Sequence, residues 1–258
     1  MPELTLRGRR VGYEAQPEDF DKTSLTIVFV HPSGGDTTDW KAQLEGLTHA
    51  ANVVALDLPG HGNTDLPWET SVGACAGWVV DFVEALGLTR VVVAGCSLGG
   101  AIVQWIAVNP KPWLVGIGLV GTGARLKVLP AILDACLNEV EKASEMISDF
   151  ALSQNASEAL RAETKDKFLK CPPGLVHADL SACNDFDVMD KLSGISVPTI
   201  ILVGEEDRLT PVKYSQFLNE KISDSRLEVI PKAGHMVMVE QPEQFNRLLG
   251  DFLSGLKS

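Results

Sequence analysis

Five apolar runs constrain this chain more than anything else in it. They are "LTIVFV" (Leu25–Val30), "NVVALD" (Asn52–Asp57), "RVVVAG" (Arg90–Gly95), "LVGIGLVG" (Leu114–Gly121) and "TIILVG" (Thr199–Gly204). Each is rich in β-branched residues, and none alternates between apolar and polar. Such runs fit strands covered on both faces, which is the situation inside a parallel sheet. A sixth, "LEVI" (Leu227–Ile230), is shorter. Helical patterns lie between them. Ser71–Leu86 places Val72, Ala76, Val79, Val83 and Leu86 at helix spacing, Ala101–Val108 holds Ile102 and Ile106, and Pro242–Leu256 carries Phe245, Leu248, Leu249 and Phe252. Strand and helix in alternation predict a doubly wound α/β fold with a mostly parallel sheet. The opening "LTLRGRRVGYEA" alternates around a glycine and predicts an edge hairpin.

The rhythm breaks between about Gly123 and Ile195. "VLPAILDACLNEVEKASEMISDFAL" and "SEALRAETKDKFLK" read as helices, with a turn at "CPPG" (Cys171–Gly174). A small helical cap inserted between two strands is expected over 123–195, with 1–122 and 196–258 forming the core domain. At 258 residues the chain suits one such unit. A net charge of -12 repels phosphate backbones and anionic headgroups, so neither nucleic acid nor a membrane surface is an expected partner. No run reaches the ~18 apolar residues of a membrane span, and the N-terminus lacks the apolar stretch of a signal peptide. A cytoplasmic location follows, with a monomer or homodimer expected. The five cysteines are scattered and form no C-x-x-C pair, so neither disulfides nor a zinc site is expected. No metal and no cofactor are predicted.

The third strand run ends in "AGCSLGG". Gly95-Cys96-Ser97-Leu98-Gly99 fits G-x-S-x-G between a strand and a helix, the context in which that pattern presents a nucleophilic hydroxyl. A serine needs a base, and the base an orienting acid. "LVGEEDRLTP" places Asp207 just past one strand, and "AGHMVMVEQP" places His235 just past the next. All three lie at strand carboxyl ends, which face one crevice in an open parallel sheet.

The segments "VFVHPSGG", "ALDLPGHG", "AGCSLGG", "VPTIILVGEEDRLTP" and "IPKAGHMVMVEQPEQF", in this order, resemble the α/β-hydrolase family. The branch of small bacterial carboxylesterases, enol-lactonases and pimeloyl-ester esterases is similar. The resemblance implies an α/β-hydrolase fold with Ser97 as nucleophile, His235 as base and Asp207 as its acid. Glu205 and Glu206 are rival acids set aside by the family's G-x-x-D pattern, and the preceding strand ends in "GTGAR" without a carboxylate. The resemblance also implies an oxyanion hole donated by Leu98 and by the loop after "VFVHP". Relatives carry H-G-x-G where this chain has His31-Pro32-Ser33-Gly34-Gly35. Position matches Ser33 to the donor, with Gly34 as the fallback.

The implied activity is hydrolysis of a small ester, thioester or lactone through an acyl-enzyme, on a small-molecule acyl substrate. The carbon–carbon bond hydrolase branch typically has tryptophan after the histidine, where Met236 stands here. Acyl transfer or perhydrolysis with the same triad, and a non-catalytic ligand receptor on this fold, are the other readings. Leu126, Leu129, Ile132, Leu133 and Met146 are candidates for the cap side of an apolar pocket. Lys142, Arg161 and Lys165 are candidates to meet an anion, against a plain role as surface charges.

Overall fold

The structure is a computed structural model that describes residues 4–172 and 174–256. The strands and helices follow in the order β1 (Leu4–Leu6), β2 (Arg9–Val11), β3 (Tyr13–Gln16), β4 (Thr26–Val30), α1 (Lys41–Gly46), β5 (Asn52–Leu56), α2 (Val72–Leu86), β6 (Val91–Cys96), α3 (Leu98–Val108) and β7 (Leu114–Val120). Among the described residues, four α-helices then precede the next strand, α4 (Pro130–Asn138), α5 (Val140–Ala151), α6 (Glu158–Lys170) and α7 (Leu175–Asp185), followed by a short 3-10 helix at Met189–Gly194. The chain closes with β8 (Thr199–Gly204), α8 (Val212–Lys221), β9 (Ser225–Ile230), α9 (Val237–Glu240) and α10 (Pro242–Gly255).

Seven strands form the main sheet in the order β3-β5-β4-β6-β7-β8-β9. All neighbours run parallel except β3, which is antiparallel to β5 at the edge. The expected edge hairpin divides. β1 and β2 form a separate two-stranded sheet, and only β3 joins the main one. The apolar runs are strands because both faces are covered. In β4, Val28 and Val30 pack with Val79, Phe82 and Ile102 of α2 and α3, while Ile27 and Phe29 pack with Trp40, Phe245 and Leu249 on the other side. A fully buried side chain of this kind contributes about 1.5–3 kcal/mol. Trp40, next to the loop after β4, stacks on Phe29 at 4.4 Å between ring centroids.

Local signals fix the helix ends. The Ser71 side chain accepts from the Ala74 N–H and starts α2, and Gly87 at φ 71° ends it in the left-handed region. The long helical pattern after Leu129 is not one helix. It breaks at Glu139 (φ -143°, ψ 59°) into α4 and α5. The turn expected at Cys171–Gly174 contains Pro173, which lies outside the described residues. Ile132, Ala135, Cys136, Ala143 and Ile147 make a small apolar cluster within the cap. Ala182, Cys183 and Phe186 of α7 and its end join the cluster that packs α2 and α3, so this cap helix is continuous with the main core. Among the described residues, no helix is long and apolar enough to cross a membrane.

Candidate active site

Ser97 sits between β6 and α3 with φ 54° and ψ -112°. A non-glycine residue there is strained, and the surrounding packing must hold it. Three hydrogen bonds do so: Ser97 N–H to Val120 O (3.0 Å), Thr122 Oγ1 to Ser97 O (3.0 Å) and Ala101 N–H to Ser97 O (3.0 Å). The glycines around it allow close backbone approach. A Cβ on Gly95 would lie 2.3 Å from Gly99 C, and one on Gly99 would lie 2.2 Å from Val30 O. Helix α3 begins at Leu98, so the Leu98 N–H is one of the orphan donors at a helix start, where the dipole favours negative charge.

Asp207 follows β8, and His235 lies between β9 and α9; both are buried. His235 Nδ1 is 2.9 Å from Asp207 Oδ2. Thr210 Oγ1 donates to the same carboxylate oxygen at 2.8 Å and lies 3.1 Å from Nδ1. Two backbone N–H groups, of Leu209 and Thr210, donate to Asp207 Oδ1. Burial alone would raise the carboxyl, but the His235 ring and these bonds outweigh it and hold Asp207 below the usual carboxylate range. With Nδ1 facing Asp207, the neutral tautomer that gives its Nδ1–H to this carboxylate keeps a lone pair on Nε2, as a base requires. The end of β7 makes room for the pair. A Cβ on Gly121 would come within 3.2 Å of His235 Nδ1 and 3.3 Å of Asp207 Oδ2. Glu206, by contrast, points away and accepts from Gln154 and Asn155.

The loop after β4 reaches the same crevice. His31 is wholly buried, its Nδ1–H donating to Pro32 O (2.8 Å) and its Nε2 accepting from the Leu58 N–H (3.0 Å). It is a neutral strut, which burial first and then the neighbouring His61 hold down at a pKa of about 3. The Ser33 N–H has no acceptor among the described residues, whereas the Gly34 N–H is already given to Asp179 Oδ2 at 2.9 Å. Of the two loop candidates, only Ser33 has its donor free.

Ser97 borders two cavities. One, of about 100 Å³, is shared with Ser33, His235, Met236 and the cap residues Leu160 and Phe168. The other, of about 170 Å³, lies under Leu126, Leu129 and Ile132 of the cap, and includes Thr210 and Tyr214. Ile147, Leu180 and Leu209 border both. Leu133 and Met146 line neither of them. The first cavity has one charged wall, where Lys167 Nζ donates to Asp39 Oδ1 (2.6 Å), Thr38 Oγ1 (2.8 Å) and Asp36 Oδ1 (3.2 Å). Burial lifts the Asp39 carboxyl above its usual value despite Lys167. Lys142 and Lys165 pair with Glu139 and Glu145, away from either cavity. Thr210, Asp179 and Lys167 are the residues sequence reasoning missed; only Thr210, inside the quoted "DRLTP", stood near a signal. No group of three or more His, Cys, Asp or Glu among the described residues is placed to hold a metal ion.

A buried Asp–His pair and a strained serine at the carboxyl ends of parallel strands, under a helical cap, define a hydrolase of the α/β class. The family profile described as "Alpha/beta hydrolase family" matches residues 27–248, and the chain belongs to that family. It is 30% identical to the 2-hydroxy-6-oxo-2,4-heptadienoate hydrolase of Pseudomonas putida over 88% of either chain. It is 25% identical to 3-oxoadipate enol-lactonase 1 of Acinetobacter baylyi, over 90% of this chain and 89% of the other. A solved thermophilic esterase superposes with a TM-score of 0.88 at 35% identity, covering 99% of this chain and 97% of its own.

Proposed function

We propose that the protein is a serine hydrolase that cleaves a small ester, thioester or lactone through an acyl-enzyme. The observation that carries this reading is the 2.9 Å Asp207–His235 pair opening onto the cavity that also holds Ser97. In this reading Ser97 Oγ attacks the substrate carbonyl carbon and its proton passes to His235 Nε2. The carbonyl oxygen becomes an oxyanion that accepts from the Ser33 and Leu98 N–H groups. Collapse expels the alcohol, thiol or enol, which takes the proton from His235. Water then attacks the acyl carbon, gives its proton to His235, and the second collapse releases the acid and returns the proton to Ser97. Asp207 stays charged and stabilises the imidazolium.

Each cavity is smaller than the ~300 Å³ at which ligand pockets usually begin, so a compact substrate with one limb in each fits best. A small-molecule acyl substrate and a cytoplasmic location belong to the same reading. The relative that hydrolyses 2-hydroxy-6-oxo-2,4-heptadienoate, at 30% identity, favours carbon–carbon bond hydrolysis as a second reading; Met236 after the histidine speaks against it. The deciding experiment is a panel of p-nitrophenyl esters, thioesters, lactones and that dienoate, run on the wild type and on Ser97→Ala. Hydrolysis of an acyl substrate is expected, falling by about three orders of magnitude or more in the variant. Wild-type turnover by Ser97→Ala would overturn the proposal.

A further inference from the structure

The Ser33–Gly34 segment is gripped from the cap. Gly34 stands at φ +66°, and a Cβ there would lie 2.8 Å from the Phe168 ring of α6 and 3.2 Å from Val176 of α7. Its N–H donates to Asp179 Oδ2 of α7 at 2.9 Å. Its carbonyl accepts from the Cys171 thiol at 3.4 Å, and Ser33 Oγ lies 3.9 Å from Cys183 Sγ. Cap groups therefore hold both peptide planes flanking Gly34. The Pro32 ring restricts φ on the other side of Ser33. The peptide that carries the one loop donor left free, the Ser33 N–H, is held through its Pro32 carbonyl by His31 Nδ1–H (2.8 Å) and the Gly35 N–H (3.0 Å), and on the Gly34 side by these cap contacts.

Asp179 is itself anchored. It is 3% exposed, and Oδ2 is also 2.9 Å from His61 Nε2. His61 Nδ1 faces the Pro59 carbonyl at 3.1 Å. A ring with a carboxylate at one nitrogen and a carbonyl at the other satisfies both only by donating from both, as an imidazolium. Burial would favour the neutral ring, yet the Asp179 charge outweighs it and holds His61 above its ordinary pKa. The charge on Asp179 is thus balanced from the core side. If α7 moved away, His61 would lose the carboxylate at Nε2 and Asp179 its buried partner, a loss that resists separation. In this position Asp179 ties the cap to the turn after β5 through its pair with His61, and to the Ser33–Gly34 loop through the hydrogen bond from the Gly34 N–H.

We propose that Asp179 is a positioning residue for the oxyanion hole. By holding the Gly34 N–H it aims the Ser33 N–H at the developing oxyanion, so the hole is complete only when the cap is seated. This rests on the proposed acyl-transfer reading, in which Ser33 and Leu98 are the donors. A lost oxyanion donor costs ~10²–10³ in kcat, and a misaimed one costs part of that.

The test compares wild type, Asp179→Leu, Asp179→Asn and the double variant His61→Leu/Asp179→Leu. The double variant leaves no orphaned charge if the single leucine variant fails to fold. Readouts are kcat and KM on a p-nitrophenyl ester, and inhibition by a boronic acid, whose serine adduct places an oxygen in the hole. The leucine variants are expected to lose about 10- to 100-fold in kcat with KM within about twofold. Boronate affinity should fall by the same factor. Asp179→Asn keeps an oxygen for the Gly34 N–H and should return kcat to within about threefold of wild type. A folded leucine variant with wild-type kcat overturns the inference, as does an unchanged boronate affinity or an equal loss in Asp179→Asn. Ser97→Ala, run alongside, separates the outcomes: if it keeps wild-type turnover, the underlying reading has failed; if it is inactive while Asp179→Leu is normal, only this inference has.

Discussion

Gly99→Ala adds one methyl group where the packing has no room for it. The new Cβ would stand 2.2 Å from Val30 O and 2.9 Å from His31 O. Both are backbone atoms at the buried end of β4, so neither can swing aside. Ordinary contact distances require the start of α3 to retreat by about 1 Å. Overpacking of this kind costs about 1–3 kcal/mol. For a chain of this length that lowers Tm by roughly 2–6 °C. The larger effect falls on chemistry, because the same retreat carries Ser97 and the Leu98 N–H with it. A displacement of that size can cost about 100-fold in kcat/KM. Gly77→Ala is the matched control. Gly77 lies within α2, and the nearest atom to an added Cβ is the Arg7 guanidinium at 3.6 Å. There alanine should stabilise by about 0.5–1 kcal/mol and leave activity alone. Scanning calorimetry and ester hydrolysis on the two variants check this. A Gly99→Ala protein with wild-type kcat/KM would refute the close-approach argument.

Thr210→Val removes the hydroxyl that donates to Asp207 Oδ2 beside His235 Nδ1. Loss of a hydrogen bond to a charged group costs about 1.5–3 kcal/mol, so kcat should fall about tenfold or more at constant KM; an unchanged kcat would remove Thr210 from the site's support. Acid stability tests His31. Its folded pKa of about 3 lies below the ordinary ~6.5 of an unfolded histidine. Its contribution is therefore complete above pH ~6.5 and lost as pH falls toward 3, at about 1.4 kcal/mol per unit. Urea midpoints at pH 7, 6 and 5 should show this slope, flattened in His31→Asn; the same slope in both proteins would refute it.

The strands and the Ser97, Asp207 and His235 positions are legible in the sequence for different reasons. The apolar runs report burial on two faces directly, since only a strand covered by helices tolerates "VVVAG" without a polar break. Ser97 is marked by glycines whose absent side chains are a steric necessity. Other features leave no such mark. α8, "VKYSQFLNEK", buries only Ser215 and Leu218, so its apolar period is too thin to read. The break at Glu139 has neither glycine nor proline to announce it. β1 and β2 look like a sheet edge because alternation reveals a half-buried strand and not which sheet it joins. Asp179 is one carboxylate among 34 acidic residues. Its importance exists only once α7 is folded over Gly34, 145 positions away.

Two cavities meet at Ser97, and under the proposed acyl-enzyme reading this junction would separate the fates of the two halves of a substrate. For chemistry through an acyl-enzyme, the departing fragment can leave from one chamber while the covalently held fragment keeps the other. The emptied chamber then admits the water of the second half-reaction without any movement of the bound acyl group. Tolerance toward one end of a substrate can thus be tuned by residues such as Leu126 and Ile132 without disturbing selectivity at the other.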